Sequence, residues 1–170
     1  QRTADVCRRW AVPVGVAMFV GLVVQVNTGL LSGYRRDASV RSVGVGWPQL
    51  AADIEAMRVK TGVSCVLAPE YGTTSWLLFY LPKGTCVAQR FERIRWVNGP
   101  QPDPDRLTGK LLYVDNGAEQ WSHPARYFNR IDKVAVMQRK RGPLVVETFD
   151  LDVVSDPKGP VLEPLPPELQ

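Results

Sequence analysis

The sequence predicts an α/β protein in which one transmembrane helix precedes a small mixed-sheet α/β domain that ends in an antiparallel hairpin. Residues 10–31 are apolar and uncharged, residues 47–61 have helical periodicity between short apolar runs, and two strand-like segments flank a basic turn at 139–141. These three observations divide the chain into an N-terminal flank (1–9), a transmembrane helix (10–31), a connector (32–46), a soluble domain (47–155) and a Pro-rich tail (156–170).

The apolar segment at residues 10–31 is long enough to cross a membrane, because roughly 20 mainly apolar residues span the hydrocarbon core as a helix. A buried core helix is disfavoured by its uniform apolarity, and a cleaved signal by its lack of a small-residue cleavage site. Its flanks carry the residue types found at membrane interfaces, and an arginine pair on each side leaves the orientation undecided. The predicted interface residues are Arg8, Arg9, Trp10, Tyr34, Arg35 and Arg36.

The first half of the soluble part predicts a helix between two strands. Pro48 and Gly62 are start and stop signals that bound a helix over residues 47–61. The apolar run 63–67 then predicts a buried strand, and Thr73 or Thr74 is expected to cap a short helix that ends at residue 80. A second short strand is predicted at 85–88, and this strand–helix–strand order favours a parallel pair.

The second half predicts a third strand at residues 110–114 and an antiparallel hairpin. The hairpin strands are expected at 133–138 and 144–151, on either side of the basic turn. After Ser155 the tail is rich in proline and is expected to be extended, mobile, or both.

The three cysteines, Cys7, Cys65 and Cys86, form no CxxC motif and no Cys/His cluster, so a metal site is not expected. Cys65 and Cys86 lie in apolar runs, and we expect them to pack as small hydrophobic side chains. The alternative is a bridge between them, which requires their strands to be neighbours.

Composition and motifs disfavour several classes of function. The net charge of +4 is spread among interleaved acids and bases, so no nucleic-acid partner is expected. No GxGxxG, P-loop or GxSxG motif is present, and a triad of Ser122, His123 and Asp115 therefore lacks support. We expect His123 to have a surface or capping role, and we assign no catalytic residue, metal ligand or cofactor to this segment.

Glu70 and Tyr71 are the first candidate ligand contacts, because they follow the carboxyl end of a predicted strand. In α/β sheets ligands usually bind at that edge. The favoured alternative is that Tyr71 and Gly72 simply form a turn.

Arg90, Arg93 and Arg95 are the second candidates, since guanidinium groups pair with the phosphate oxygens of lipids or phosphorylated ligands. Glu92 lies among them, so internal ion pairing is an equally good interpretation.

The order of these parts resembles a known family. An apolar helix leads into Gly46-Trp47 and an Ala- and Leu-containing helix, then into Glu70-Tyr71-Gly72, a helix ending Phe-Tyr-Leu-Pro at 79–82, and Glu-Arg-Ile-Arg-Trp-Val-Asn at 92–98. This pattern resembles the C-terminal end of bacterial membrane glycosyltransferases of family 39, which include protein mannosyltransferases and lipid A aminoarabinose transferases. The resemblance covers residues 10–114, and the rest of the chain is similar only in general shape.

The resemblance implies a polytopic enzyme of the GT-C type that takes a sugar from a polyprenyl-phosphate donor outside the bacterial cytoplasmic (inner) membrane. The family's catalytic carboxylates lie in an early loop that nothing here matches, so none is transferred. This segment would supply the last membrane span and an extracytoplasmic cap domain. Its partners would be membrane lipid, the other transmembrane helices of the parent enzyme and, through the parent, the lipid-linked sugar. Whether the parent needs a divalent metal is left open.

Two other functions remain open. The first is a stand-alone single-span membrane protein whose α/β domain binds a partner or a small ligand. The second is a soluble-domain enzyme, which is least favoured because titratable residues are not clustered in the sequence.

Overall fold

A computed structural model describes residues 2–28, 44–97, 99, 101–117, 119–165 and 168. The chain divides into two compact units, Gln1–Gly44 and Val45–Gln170. In chain order the helices and strands are α1 (Arg2–Thr28), α2 (Trp47–Thr61), β1 (Cys65–Ala68), α3 (Tyr71–Tyr80), β2 (Cys86–Gln89), β3 (Leu111–Asp115), β4 (Phe128–Arg141) and β5 (Leu144–Pro157).

The described part of the first unit is α1, a helix of 27 residues. Its segment Ala4–Val26 has a mean hydropathy of 1.7 and no buried residues, so by length and composition it can cross a membrane. A core helix would bury this surface, whereas a signal sequence would also have this composition. The predicted interface residues Arg8, Arg9 and Trp10 lie on α1 and are exposed. Their predicted counterparts beyond the span (Tyr34, Arg35 and Arg36) lie outside the described residues.

The second unit is built on a five-stranded mixed sheet with the order β2-β1-β3-β5-β4. β1 pairs in parallel with β2 and with β3, while β5 pairs antiparallel with β3 and with β4. The predicted α/β class, the parallel pair and the final antiparallel hairpin are therefore confirmed.

The hairpin strands are longer than predicted, with 14 residues each. The basic run at residues 139–141 was predicted to form the turn, but it belongs to β4. Only Gly142 and Pro143 remain in the turn, with Gly142 in the left-handed region at φ 54°. The correction arises because the backbone of the basic residues pairs with β5, from Arg139 opposite Glu147 to Arg141 opposite Leu144.

The two α-helices described in this unit differ in how well their starts were predicted. α2 has the predicted bounds and ends just before Gly62, which is left-handed and whose N–H group caps the last turn. α3 begins at Tyr71 rather than at a threonine cap. Glu70 occupies the N-cap position, where its backbone carbonyl accepts the N–H of Thr74 at 3.2 Å. Both candidate caps, Thr73 and Thr74, are therefore buried inside the first turns.

Both faces of the sheet are covered, as the continuously apolar β1 and β3 require. One face packs against α2 and α3 through Trp47, Leu50, Ile54, Val66, Leu77, Leu112, Phe149 and Leu151. The other face carries Cys65, Leu67, Cys86, Ala88, Leu111, Tyr113, Phe128 and Val154, and tail residues pack on it.

Cys65 and Cys86 form a disulfide, so they do not pack as free thiols. They are direct partners in the register of the parallel strands β1 and β2, with Cα atoms 4.6 Å apart. Side chains at such partner positions point to the same face of the sheet, which brings the two sulfur atoms together. The remaining cysteine, Cys7 on α1, is free and exposed.

The beginning of the tail lies against the domain. Lys158 N donates to the carbonyl of Tyr127 and Glu163 N donates to the carbonyl of Arg90, each at 2.8 Å. Val161 and Leu162 between them pack on the second face of the sheet. The segment 158–163 has no helix or strand, but it is held by the domain at both ends.

Candidate functional site

The parallel strands bring several polar side chains to one edge of the sheet. Glu70 follows β1, Arg90 follows β2 and Asn116 follows β3. The chain leaves β1 toward β2 on one side, whereas β3 lies on the other side of β1. Such a divergence of connections opens a crevice at the carboxyl ends of the strands, which is where open α/β sheets bind ligands.

Glu70 lies in this crevice and accepts hydrogen bonds from Asn116, which follows β3, and from Thr73 on α3. Asn116 Nδ2 donates to Glu70 Oε1 at 2.9 Å and to Glu147 Oε1 at 3.2 Å. The Thr73 hydroxyl also donates to Glu70 Oε1, at 2.9 Å. Burial raises the pKa of Glu70, the bond from Thr73 opposes this, and the nearby Glu147 and Asp115 carboxylates raise it further.

Arg139 lies at the far end of this network and is buried, with a relative exposure of 1%. Its Nη2 atom lies 3.1 Å from Glu147 Oε2, and its Nη1 atom donates to the carbonyl of Val45 at 2.9 Å. Its guanidinium carbon lies 5.7 Å from the ring centroid of Trp47. A continuous series of polar contacts thus runs from Glu70, after β1, through Asn116 and Glu147 to Arg139 on β4.

A second polar group lies beside Glu70. The Ser122 hydroxyl lies 2.9 Å and 3.1 Å from the two carboxylate oxygens of Asp115. The Tyr113 hydroxyl donates to the carbonyl of Ser122 at 2.6 Å, and burial raises the pKa of Tyr113, so this hydroxyl keeps its proton. His123 is exposed, and its Nδ1 atom accepts the N–H of Ala125 at 3.2 Å, which confirms the predicted surface and capping role.

The cavity between these two groups has a volume of only about 10 Å³. It can hold about one water molecule, but no sugar. The residues that line it are Pro69, Glu70, Asp115, Asn116, Glu119, Trp121 and Ser122.

Arg90 is separated from the two other candidate arginines. Its side chain is 7% exposed and is covered by the tail, with hydrogen bonds from Nη1 to the carbonyls of Pro160 and Val161. Its guanidinium lies over the ring of Tyr127. Arg90 therefore holds the tail, and in this conformation it does not face an external phosphate group.

Arg95 and Tyr71 are in contact beside α3, and Arg93 lies on the same turn as Arg95. Arg93 and Arg95 belong to the 3-10 turn Arg93–Trp96, and the Trp96 ring lies 5.2 Å from the ring of Tyr71. The guanidinium carbon of Arg95 also lies 5.2 Å from the centroid of Tyr71. Arg95 pairs with Glu92 at 3.3 Å in an exposed ion pair, which matches the alternative of internal pairing.

A cavity of about 140 Å³ lies between α3, β2 and this turn. Its walls are mainly apolar, and Arg93 lies at its margin, where Nη2 donates to Gln101 Oε1 at 2.6 Å and Nη1 to the carbonyl of Glu163 at 3.1 Å. The lining residues are Thr74, Leu78, Val87, Ala88, Gln89, Arg93, Trp96, Gln101 and Pro102.

A wider groove of about 670 Å³ separates α2 from β4. Its floor includes Ala56, Met57 and Met137, while Asp53 and Lys140 supply charges of both signs. This groove could not be predicted from the sequence, because it depends on where the long hairpin lies relative to α2.

Among the described residues, no group of three His, Cys, Asp or Glu side chains is arranged to hold a metal ion. No protein-family profile, curated protein or solved structure matches this chain.

Proposed function

We propose that this chain is the C-terminal membrane span and extracytoplasmic cap domain of a glycosyltransferase that uses a polyprenyl-phosphate-linked sugar donor. The catalytic part of the enzyme lies upstream, and the cap covers the extracytoplasmic side at the bacterial cytoplasmic membrane. This proposal rests on the family resemblance of residues 10–114.

The disulfide between Cys65 and Cys86 is the observation that best supports the extracytoplasmic location. Disulfides form and persist in oxidising compartments and are rare where glutathione and thioredoxin keep thiols reduced. The apolar helix Ala4–Val26 supports attachment to a membrane. Together they favour a domain that is tethered to a bilayer and faces an oxidising space.

The edge of the sheet supports a non-catalytic role for the domain. Glu70 and Glu147 are joined through the amide of Asn116, and Ser122 is bonded to Asp115. These groups form hydrogen bonds with one another around a cavity that is too small for a sugar. A cap that positions the donor or closes over it needs rigid packing rather than a reactive centre of its own.

Two measurements on the parent protein test this proposal: which side of the membrane the domain faces, and whether the protein transfers sugar. In spheroplasts that express the whole reading frame, external protease should remove the domain. Polyethylene glycol maleimide applied after denaturation should label Cys7, and it should label Cys65 and Cys86 only after reduction. The purified parent should transfer sugar from a polyprenyl-phosphate donor. A protected domain with free thiols, or a reading frame that encodes no further membrane spans, would contradict the proposal.

The second candidate is a single-span protein whose domain binds a small ligand, and the 140 Å³ cavity beside β2 favours it. A mainly apolar cavity with one guanidinium and two amides at its margin fits a small molecule that carries an anionic or hydroxyl group. Saturable binding that Leu78→Trp abolishes, in a protein with no transferase activity, would favour this candidate over the first.

A further inference from the structure

We infer that the outer side of α3 and the adjoining Arg93–Trp96 turn form a face that lies on the bilayer surface and contacts anionic phosphate headgroups. This lipid-contact face consists of Tyr71, Leu78, Phe79 and Ile94 with Arg93 and Arg95. The inference deepens the proposed function, since it rests on attachment of the domain to a membrane.

The apolar part of the face is a stripe along α3. Leu78 and Phe79 follow Tyr71 by seven and eight positions, so the three side chains lie near one side of the helix. Their relative exposures are 41%, 45% and 75%. Ile94 on the adjoining turn is 55% exposed. Four large apolar side chains are thus presented to the surroundings by two neighbouring elements of the domain.

The cationic part of the face is attached to this stripe by aromatic contacts. Arg95 lies over the Tyr71 ring, which in turn contacts the ring of Trp96. Trp96 and Leu78 line one cavity with Arg93, so the stripe and the turn are contiguous. Aromatic rings beside arginine side chains are the combination that occupies the headgroup level of a bilayer.

A bilayer is a better occupant than a second copy of the chain, for two reasons. The apolar helix Ala4–Val26 can anchor the chain, and only residues 27–44 separate it from Val45, so a bilayer is within reach of the domain. The ion pair of Arg95 with Glu92 is exposed and contributes little in water, so Arg95 can exchange Glu92 for a phosphate group. Apolar burial combined with attraction to anionic lipid is the ordinary basis of interfacial binding.

The test measures lipid contact at single positions of the full chain in liposomes. In a Cys7→Ser background, which leaves the native disulfide intact, an environment-sensitive fluorophore is attached at Phe79→Cys or Ile94→Cys. The matched control is Val59→Cys, an exposed apolar position on α2 with a relative exposure of 64%. Liposomes contain phosphatidylcholine with phosphatidylglycerol and a lipid that carries a quencher near the headgroup. We expect at least threefold stronger quenching at positions 79 and 94 than at position 59.

The arginines are tested in the same liposomes. Arg95→Gln, alone and with Arg93→Gln, should reduce quenching at position 94 at least twofold, and pure phosphatidylcholine should have a similar effect. Equal quenching at positions 59, 79 and 94 would overturn the inference. A blue shift of the labels that increases with protein density and occurs without quenching would also overturn the inference, because it would show that the labels are buried against protein. Because these liposomes contain no sugar donor, either result leaves the sidedness and transfer experiments to decide the proposed function.

Discussion

The guanidinium carbon of Arg90 lies 4.1 Å from the centroid of the Tyr127 ring, beneath the first residues of the tail. The same guanidinium donates to the carbonyl of Pro160 at 3.1 Å. One side chain at the end of β2 therefore joins the sheet, the 127–128 segment and the tail. This contact explains how a Pro-rich segment without regular structure is held on the domain.

We expect Arg90→Gln to release the tail. The substitution removes a cation–π contact and charged hydrogen bonds to tail carbonyls, so it should lower the free energy of unfolding by about 2 kcal/mol. Limited proteolysis should then cut within residues 158–165 at least several-fold faster than in the native chain. Arg106→Gln is the matched control, because this exposed arginine donates only to loop carbonyls. Equal cleavage rates in the two variants would contradict the assignment of Arg90 to the tail.

Gly46→Ala should destabilise the domain strongly. Gly46 has φ 83°, and a Cβ atom there would collide with the carbonyl oxygen of Lys140 on β4. We expect a loss of at least about 3 kcal/mol, since left-handed strain and a backbone collision act together. Gly62→Ala is the control, because its φ is 68° but no atom lies within 4 Å of the added carbon. That variant should lose about 1 kcal/mol.

Urea unfolding in detergent, followed by tryptophan fluorescence, measures both glycine variants. Trp47 lies next to Gly46 in sequence and is buried against Phe149, so it reports on this region. If the free energy of unfolding fell by the same amount in both variants, the close approach of β4 to Gly46 would not be needed for stability.

Glu70→Gln should change how stability depends on pH. The folded state releases the Glu70 proton at a higher pH than the unfolded chain does, because burial and nearby carboxylates raise its pKa. Between the ordinary and the raised pKa the folded state binds more protons, so native stability falls as pH rises and stays reduced above this window. The Gln side chain cannot titrate, but its carbonyl oxygen can still accept hydrogen bonds from Thr73 and Asn116.

The stability of Glu70→Gln relative to the native chain should therefore increase with pH through this window and then become constant. Unfolding in urea at a series of pH values from 3.5 to 8 measures this difference. Burial also raises the pKa of Asp152, so stability that falls with rising pH should remain in Glu70→Gln and should become smaller on adding Asp152→Asn. Parallel pH profiles for the native chain and Glu70→Gln would show that the pKa of Glu70 is not raised in the folded state.

The elements that were predicted well are those set by local signals. Pro48 and Gly62 bound α2 at the predicted residues, because helix starts and stops depend on nearby backbone geometry. The apolar run at residues 63–67 likewise indicated a buried strand, and every residue of β1 is buried. His123 could be assigned a capping role because its partner lies two residues away.

The features that were not predicted depend on contacts between distant residues. Arg139 appears in the sequence as part of an exposed basic turn, yet its buried position depends on Glu147 and on the carbonyl of Val45, 94 residues away. The role of Arg90 depends on the tail, 70 residues further along the chain. The disulfide depends on the register of β1 with β2, which apolar patterning does not determine.

Arg139 also gives the domain a mechanical property. The chain enters the domain at Val45, and the guanidinium of Arg139 holds that carbonyl while Phe149 on β5 packs against Trp47. The start of α2 is therefore joined to the β4–β5 hairpin at two points, and it cannot separate from the sheet unless both contacts break. The first residues of the domain thus act as a clamp, which opposes fraying of α2 at its N-terminal end.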